Sequence, residues 1–480
     1  MNLAIVFYIL GKVVLCEGFL LALPLIVSII YKEPVSINAF VITILICVAV
    51  GLMCFIKKPK NSVFNIKEGF LVTALSWIVI SILGCIPFVL TGVLTSPVSA
   101  LFETVSGFTT TGASVITDVD LVPKGILFWR SLTHWIGGMG VLVFVLMLRA
   151  PSGGSDTNLM KAESPGPQVE KLVPKLQMTA KILYSIYFGM TILEIVLLLI
   201  GKLPLFDALT LSFGTAGTGG FGIRNDSIAG YSSYVQWVIG IFMILFGVNF
   251  SFYFLLLIRK AKKAFSMEEV LIYFVIIAVA VVAIMFDMRA KIPAFFDNLR
   301  HSLFQVGSVI TTTGYVTDDF NKWNMFSKTV LVSLMFIGAC AGSTGGGIKV
   351  SRIILMLKTI KKEIKQFIHP NRVGKVLLNN KTVTHEVVRA VNTFIMAYLI
   401  IFSVSVILIS VDGYDFTTNF TAIVSALNNI GPGLELVGPM GNFAHFGPFS
   451  KIVIMFNMLA GRLEIFPLLV LFRRETWRKF

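Results

Sequence analysis

Apolar runs of membrane-spanning length recur along this chain of 480 residues, and they constrain its fold before any motif does. A bilayer core about 30 Å thick takes about 20 apolar residues as one helix, and it tolerates no unsatisfied backbone. Hydrophobic residues make up 56% of the chain and charged residues only 14%. A soluble domain carries about a quarter charged residues. The sequence therefore predicts an all-α polytopic membrane protein. The first run starts near Leu3; it is too long for a cleaved signal peptide and has no clear small-residue cleavage site, so it is read as a membrane helix. The net charge of +15 would raise the question of nucleic acid in a soluble protein. Here the basic residues gather in a few connecting segments, the positive-inside pattern, so membrane lipid and not nucleic acid is the expected surrounding. The five cysteines (Cys16, Cys47, Cys54, Cys85, Cys340) lie in or beside apolar runs without a CxxC pair and read as small hydrophobes.

The order of segments predicts an internal repeat. Residues 3–30 and 37–56 read as a helix pair joined by YKEPVS, and the lysine-rich KKPKNSVFNIKE that follows is expected to be cytoplasmic. From there one pattern recurs four times: a long apolar helix (M1), a segment too short to span, a glycine loop, and a second long helix (M2) with a basic end. M1 is expected at 68–91, 182–200, 268–286 and 386–410. The short segments are 99–108, 205–215, 295–310 and 417–429. M2 is expected at 125–149, 233–258, from 326, and at 449–472. The boundaries are a helix pair at 1–60 and repeats at 61–165, 166–264, 265–375 and 376–480. Asp118, Asp120, Asp226, Asp318 and Asp319 follow the glycine loops, on the side opposite the basic M2 ends. Every loop then faces outward, both termini are cytoplasmic, and the repeats run parallel around one axis. The total is ten spanning helices and four half-helices.

The glycine loops carry the functional reading. Irregular backbone at membrane depth must be buried in protein or line a wet cavity. Aiming successive carbonyls at an ion requires backbone angles that glycine supplies, and threonine adds a neutral hydroxyl acceptor. Aligned on glycine, the loops are Thr109-Thr110-Thr111-Gly112, Ala216-Gly217-Thr218-Gly219, Thr311-Thr312-Thr313-Gly314 and Ile430-Gly431-Pro432-Gly433. The second loop has adjacent glycines, Gly219 and Gly220, which leaves its register open by one. Pro432 stands where two repeats have Thr. The half-helices before the loops would turn their partially negative C-terminal ends toward a bound cation.

With HWIGGMG (134–140), GSTGGGIK (342–349), ALNNIGPGLE (426–435) and AGRLEIFP (460–467), these loops resemble the TrkH/KtrB/HKT superfamily of potassium uptake proteins over nearly the whole chain. The additional N-terminal helix pair points to its TrkH branch. The resemblance implies one filter glycine per repeat. It implies potassium as the transported ion, because Gly112 stands where a serine accompanies sodium selectivity in some plant relatives. It also implies a bacterial inner-membrane location, a homodimer, and regulation by a cytoplasmic ring of TrkA-type nucleotide-binding subunits. The membrane potential would drive uptake, worth about 2.3 kcal/mol per charge per 100 mV.

Three features need weighing. The run Gly342, Ser343, Thr344, Gly345, Gly346, Gly347 interrupts the third M2. A phosphate-binding loop would need Gly and Lys adjacent, then Ser or Thr; Ile348 precedes Lys349 and Val350 follows it, so a nucleotide site is set aside. The remaining readings are an intramembrane gating loop, which the resemblance implies, and a packing kink. Arg462, about halfway along the fourth M2, reads as a positive barrier in the pore or as a structural ion-pair partner of Glu464, Glu103 or Glu194. His134, His301 and His445 have no metal-ligand company and read as structural. No arrangement argues catalysis or a bound cofactor. The expected function is potassium uptake through a pore; the alternative is a symporter coupled to proton or sodium, for which Glu103 or Glu464 could carry the proton.

Overall fold

The computed structural model describes residues 3–55, 66–140, 176–371, 374–379 and 381–477. The last part of the first M2 as expected from sequence, and the residues after it up to 175, lie outside them. Apart from a short hairpin, Leu377–Leu378 with Lys381–Thr382, the regular elements are helical. Among the described residues, six helices are long and apolar enough to cross a membrane, or seven if one bent pair counts as a span. The chain is a multi-pass membrane protein. Side chains such as Val279, Val282, Ile400 and Ile407 leave the outer faces of the long helices apolar and exposed, as lipid contact requires.

The N-terminal pair is Leu3–Leu20, Ala22–Ile30 and Pro34–Met53; the first helix breaks at Leu21, just before Pro24, whose ring cannot continue the backbone ladder. The M1 helices are Ile66–Gly84 with Ile86–Leu90, Leu176–Ile200, Glu268–Met288 and His385–Ile409. The pore helices are Pro97–Phe108, Leu205–Ala216, Phe295–Ile310 and Phe416–Asn428. Their N-terminal turns carry Pro97, Asp207 and Asp297, and Asp415 caps the fourth by accepting from Thr418 N at 2.9 Å. No basic residue occupies their last turns, so the negative ends stay unneutralised.

The second helices explain why fewer than ten spans emerge among the described residues: the first is described only to Gly140, and the other three are interrupted. Lys124–Met139 ends at Gly140; Ser233–Phe246 bends by 92° into Phe250–Leu257; Met325–Ile337 and Val350–Ile368 flank a loop; Pro448–Arg462 and Phe466–Leu471 flank another break. Glycine at 140, 247 and 338, and positive φ at Glu464 and Ile465, stop the helical ladder at each place. The packing is cyclic. Each pore helix lies between the M2 of its own repeat and that of the preceding one, and the fourth M2 closes the circle on the first pore helix.

Candidate ion-conduction site

All four pore helices end the same way. Thr111 N–H donates to Ser106 O, Gly219 N–H to Gly214 O, Thr313 N–H to Ser308 O and Ile430 N–H to Ser425 O, at 2.9 to 3.0 Å. The residue before each donor has positive φ: Thr110 at 55°, Thr218 at 52°, Thr312 at 60° and Asn429 at 57°. The residue after each is a glycine with positive φ: Gly112, Gly220, Gly314 and Gly431. A β-branched residue in that region is strained by about 1–3 kcal/mol and persists only where its surroundings hold it.

This pattern fixes the register left open in the second loop and corrects that of the fourth. Gly220, not Gly219, is the counterpart of Gly112, and Thr218 sits at the level of Thr110. In the fourth loop Gly431 is the counterpart and Asn429 stands at the Thr110 level, a shift of two from the alignment on Gly433. Pro432 and Gly433 lie beyond the ring glycine, on the outward leg of the loop. Counting back from the final glycine misplaces the fourth register, because the register is set by where the pore helix stops.

The loops form a closed ring. A Cβ at Gly112 would overlap the carbonyl oxygen of Gly219; at Gly220, that of Thr313; at Gly314, that of Ile430; at Gly431 it would crowd that of Thr111. These four carbonyls belong to equivalent residues, and each meets the glycine of the neighbouring repeat. Above them, Gly112, Gly220, Gly314 and Gly431 line one vestibule of about 160 Å³ together with Arg130. Hydroxyls reinforce two of the loops: Thr109 Oγ1 lies 2.8 Å from Thr111 Oγ1, and Thr311 Oγ1 lies 2.7 Å from Thr313 Oγ1. Asn429 Nδ2 donates to Thr111 Oγ1 at 2.9 Å, joining the fourth loop to the first. The ring is fourfold in backbone and lower in side-chain chemistry.

Directly against one face of this ring lies the loop between Ile337 and Val350. Gly346 N–H donates to Thr312 Oγ1 at 2.7 Å, and a Cβ on Gly345 would meet Thr311 O at 2.8 Å. Gly338, Gly342 and Gly347 take positive φ, which a tight reversal there requires. Both ends of the loop bond to Glu269 Oε1, through Ala341 N at 2.7 Å and Ser351 N at 3.0 Å. Cys340 N–H donates to Gly247 O and Gly342 O accepts from Phe250 N, each at 3.0 Å, so the loop is stitched to the bend of the second M2. Lys349 Nζ donates back to Gly345 O.

Arg462 is the last residue of its helix rather than its midpoint. Its guanidinium donates to Thr344 O at 2.9 Å, to Gly138 O at 2.8 Å and to Gly137 O. It thus links the loop to carbonyls in the last turn of the first M2. Two of the carboxylates considered as its partners are engaged elsewhere: Glu464 with Arg352 at 2.5 Å and Glu103 with Arg130 at 2.8 Å.

The comparisons agree with this geometry. Residues 36–479 match the family described as TrkH, cation transport protein. The chain is 34% identical to the Trk system potassium uptake protein TrkH of Salmonella typhimurium over 483 residues, covering 98% of each. It is 32% identical to the corresponding TrkH of Vibrio parahaemolyticus, covering 96% of this chain and 98% of that one. The crystal structure of the potassium transporter TrkH from Vibrio parahaemolyticus superposes with a TM-score of 0.89 at 30% identity, covering 100% of both chains. The chain belongs to the TrkH family of cation transport proteins. It is not an enzyme.

For this TrkH-family chain, sequence reading missed Arg130, and gave Glu103 another role, in the brace that lies behind the ring. Glu103 is fully buried; its Oε1 accepts from Arg130 Nε at 2.8 Å and Ser114 Oγ at 2.9 Å, and its Oε2 from Val115 N at 2.9 Å. Arg130 continues to Gly222 O at 3.2 Å and lies 4.1 Å from the centroid of Phe221. The pair therefore ties the outward leg of the first loop to that of the second. His134 fills the space behind the second loop, with Nδ1 2.8 Å from Gly107 O and Nε2 accepting from Phe221 N at 3.3 Å. The available signal was weak: an arginine and a histidine four residues apart on one M2, facing a pore-helix carboxylate. Glu103→Ala leaves Arg130 buried and unpaired, which costs about 3–5 kcal/mol. We expect a lower melting temperature in detergent and lower potassium-over-sodium preference. Glu103→Gln, with one acceptor oxygen for the two sides of the carboxylate and no charge to offset Arg130, should recover only part of the stability.

Proposed function

We propose that the chain is the translocating subunit of a potassium uptake system of the bacterial inner membrane. The closed ring, each glycine against the carbonyl of the next repeat, carries this reading. Ion-sized sites of the kind built from stacked carbonyls need such a ring, and the four pore-helix C-termini add negative potential there. Thr110, Thr111 and Gly112, Thr218, Gly219 and Gly220, Thr312, Thr313 and Gly314, and Asn429, Ile430 and Gly431 are the ion-facing set. Residues 342–347 form the gate beneath it, with Arg462 its electrostatic partner. Potassium follows from the names of the relatives and from glycine at position 112.

Uptake is driven by the membrane potential. Both termini are cytoplasmic, and the basic cytoplasmic segments meet a TrkA-type nucleotide-binding ring; two copies of the chain form the working dimer. A pore is favoured over a proton-coupled carrier because Glu103 and Glu464 are both committed to arginines. The test is rubidium flux into proteoliposomes under an imposed potential, with planar-bilayer recordings alongside. Flux with unitary current steps is expected. Flux that requires a proton gradient and shows no unitary steps would establish the symporter instead.

A further inference from the structure

The helix Val350–Ile368 begins at the intramembrane loop and runs away from the ring. At about 1.5 Å per residue, Lys358 lies about 12 Å and Lys365 about 22 Å along it. With the loop at the bilayer centre and a half-core about 15 Å thick, these positions would straddle the membrane boundary. Two faces of this segment are unusual. Leu357, Ile360, Ile364, Phe367 and Ile368 form one exposed apolar stripe at helical spacing, with Phe367 86% exposed. Beside it Lys358, Lys361, Lys362 and Lys365, together with Lys375 and Gln366, line a cavity of about 280 Å³ against the backbone of residues 374–377.

Among the described residues, no acidic side chain lines the cavity. Nearby carboxylates are used: Lys358 pairs with Glu268 at 2.5 Å and donates to Leu377 O at 2.7 Å, and Lys362 pairs with Glu363 at 3.2 Å. Lys361, Lys365 and Lys375 have no carboxylate partner among the described residues. Three uncompensated ammonium groups around one cavity call for a polyvalent anion, and the apolar stripe alongside calls for acyl chains.

We propose that this cavity binds the phosphate of an anionic lipid headgroup, phosphatidylglycerol or cardiolipin, whose chains lie along the Leu357–Ile364–Phe367 stripe. The same lysines could hold a free phosphate compound, but only a lipid uses both faces. Juxtamembrane lysines attract anionic lipid with about 1 kcal/mol each. The site rests on the orientation proposed above, with basic M2 ends in the cytoplasmic leaflet. Bound at the end of the helix that anchors the loop, such a lipid would fix the loop's lower hinge.

The test is native mass spectrometry of the full chain in detergent with cardiolipin, phosphatidylglycerol, phosphatidylcholine or sodium pyrophosphate added singly. It needs no transport, so its failure is separate from failure of the uptake reading. Retention of cardiolipin and phosphatidylglycerol over phosphatidylcholine is expected. It should fall at least about tenfold in K361Q/K365Q/K375Q and persist in K361R/K365R/K375R. Equal retention of phosphatidylcholine would overturn the proposal. So would pyrophosphate binding that anionic lipid does not displace, undiminished lipid in the glutamine variant, or a second copy of the chain covering the stripe with no lipid retained.

Discussion

Gly112→Ser should lower the ratio of potassium to sodium flux at least about tenfold while leaving a folded protein. Two effects combine. Positive φ at position 112 costs a side chain about 1–2 kcal/mol, and the new Cβ overlaps the Gly219 carbonyl oxygen. That oxygen must move, and it is one of the four that make the ring. About 1.4 kcal/mol of lost discrimination is already tenfold. Gly92 is the control: it has φ of 75° but open space around its Cβ position, so Gly92→Ser carries the backbone strain without touching the ring. Flux ratios from rubidium and sodium tracers in proteoliposomes decide the matter. Equal effects of the two substitutions would mean that backbone strain alone, and not carbonyl placement, sets the preference. The corrected register makes a parallel prediction: Gly431→Ser should behave like Gly112→Ser, because Gly431 crowds the Thr111 carbonyl across the closing contact of the ring.

The class of fold was legible because it follows from local properties. Apolar length marks membrane helices, and a TTTG run between two of them marks backbone with a special task. The register of the second and fourth loops was not legible. It is set by where each pore helix terminates, through bonds such as Ile430 N–H to Ser425 O, and no composition rule reads Asn429 as the counterpart of Thr110. The interruptions were visible only at GSTGGGIK. The bend at Gly247 and the stop at Leu463 lie inside apolar runs that periodicity reads as continuous helix. The braces were hidden for another reason: their partners are far apart in sequence. Glu33 of the N-terminal pair accepts from Lys124 N at 2.6 Å and Gly125 N at 3.1 Å, capping the first M2 from outside its repeat. Glu269 holds both ends of a loop more than seventy residues away. A sequence shows such carboxylates only as ordinary charges beside helix starts, Glu33 in YKEPVS and Glu269 at the head of an M1, with no indication of what they hold.

Deleting Gly345, Gly346 and Gly347 should raise basal rubidium flux at least about tenfold. These glycines lie against the ring: Gly346 donates to Thr312 Oγ1, and Gly345 and Gly346 have room for no side chain between the loop and the carbonyls of Thr311 and Asn428. A loop placed there would obstruct whatever passes the ring, and removing its middle leaves Glu269 and the bonds to Gly247 holding the flanks. Arg462→Gln provides an independent route to the same end. It removes the charged donor to Thr344 O and to the carbonyls of Gly137 and Gly138. Hydrogen bonds to a charged group contribute about 1.5–3 kcal/mol each, so losing even one that exists only with the loop in place favours the open arrangement by about tenfold or more. The two readings of Arg462 separate here. A residue that merely completes the fold would lower the yield of monodisperse protein and leave flux per molecule unchanged. A residue that pins an obstruction would leave the yield intact and raise flux. If the deletion and Arg462→Gln each preserve folded protein with flux at the unmodified level, the loop is a packing kink and not a gate.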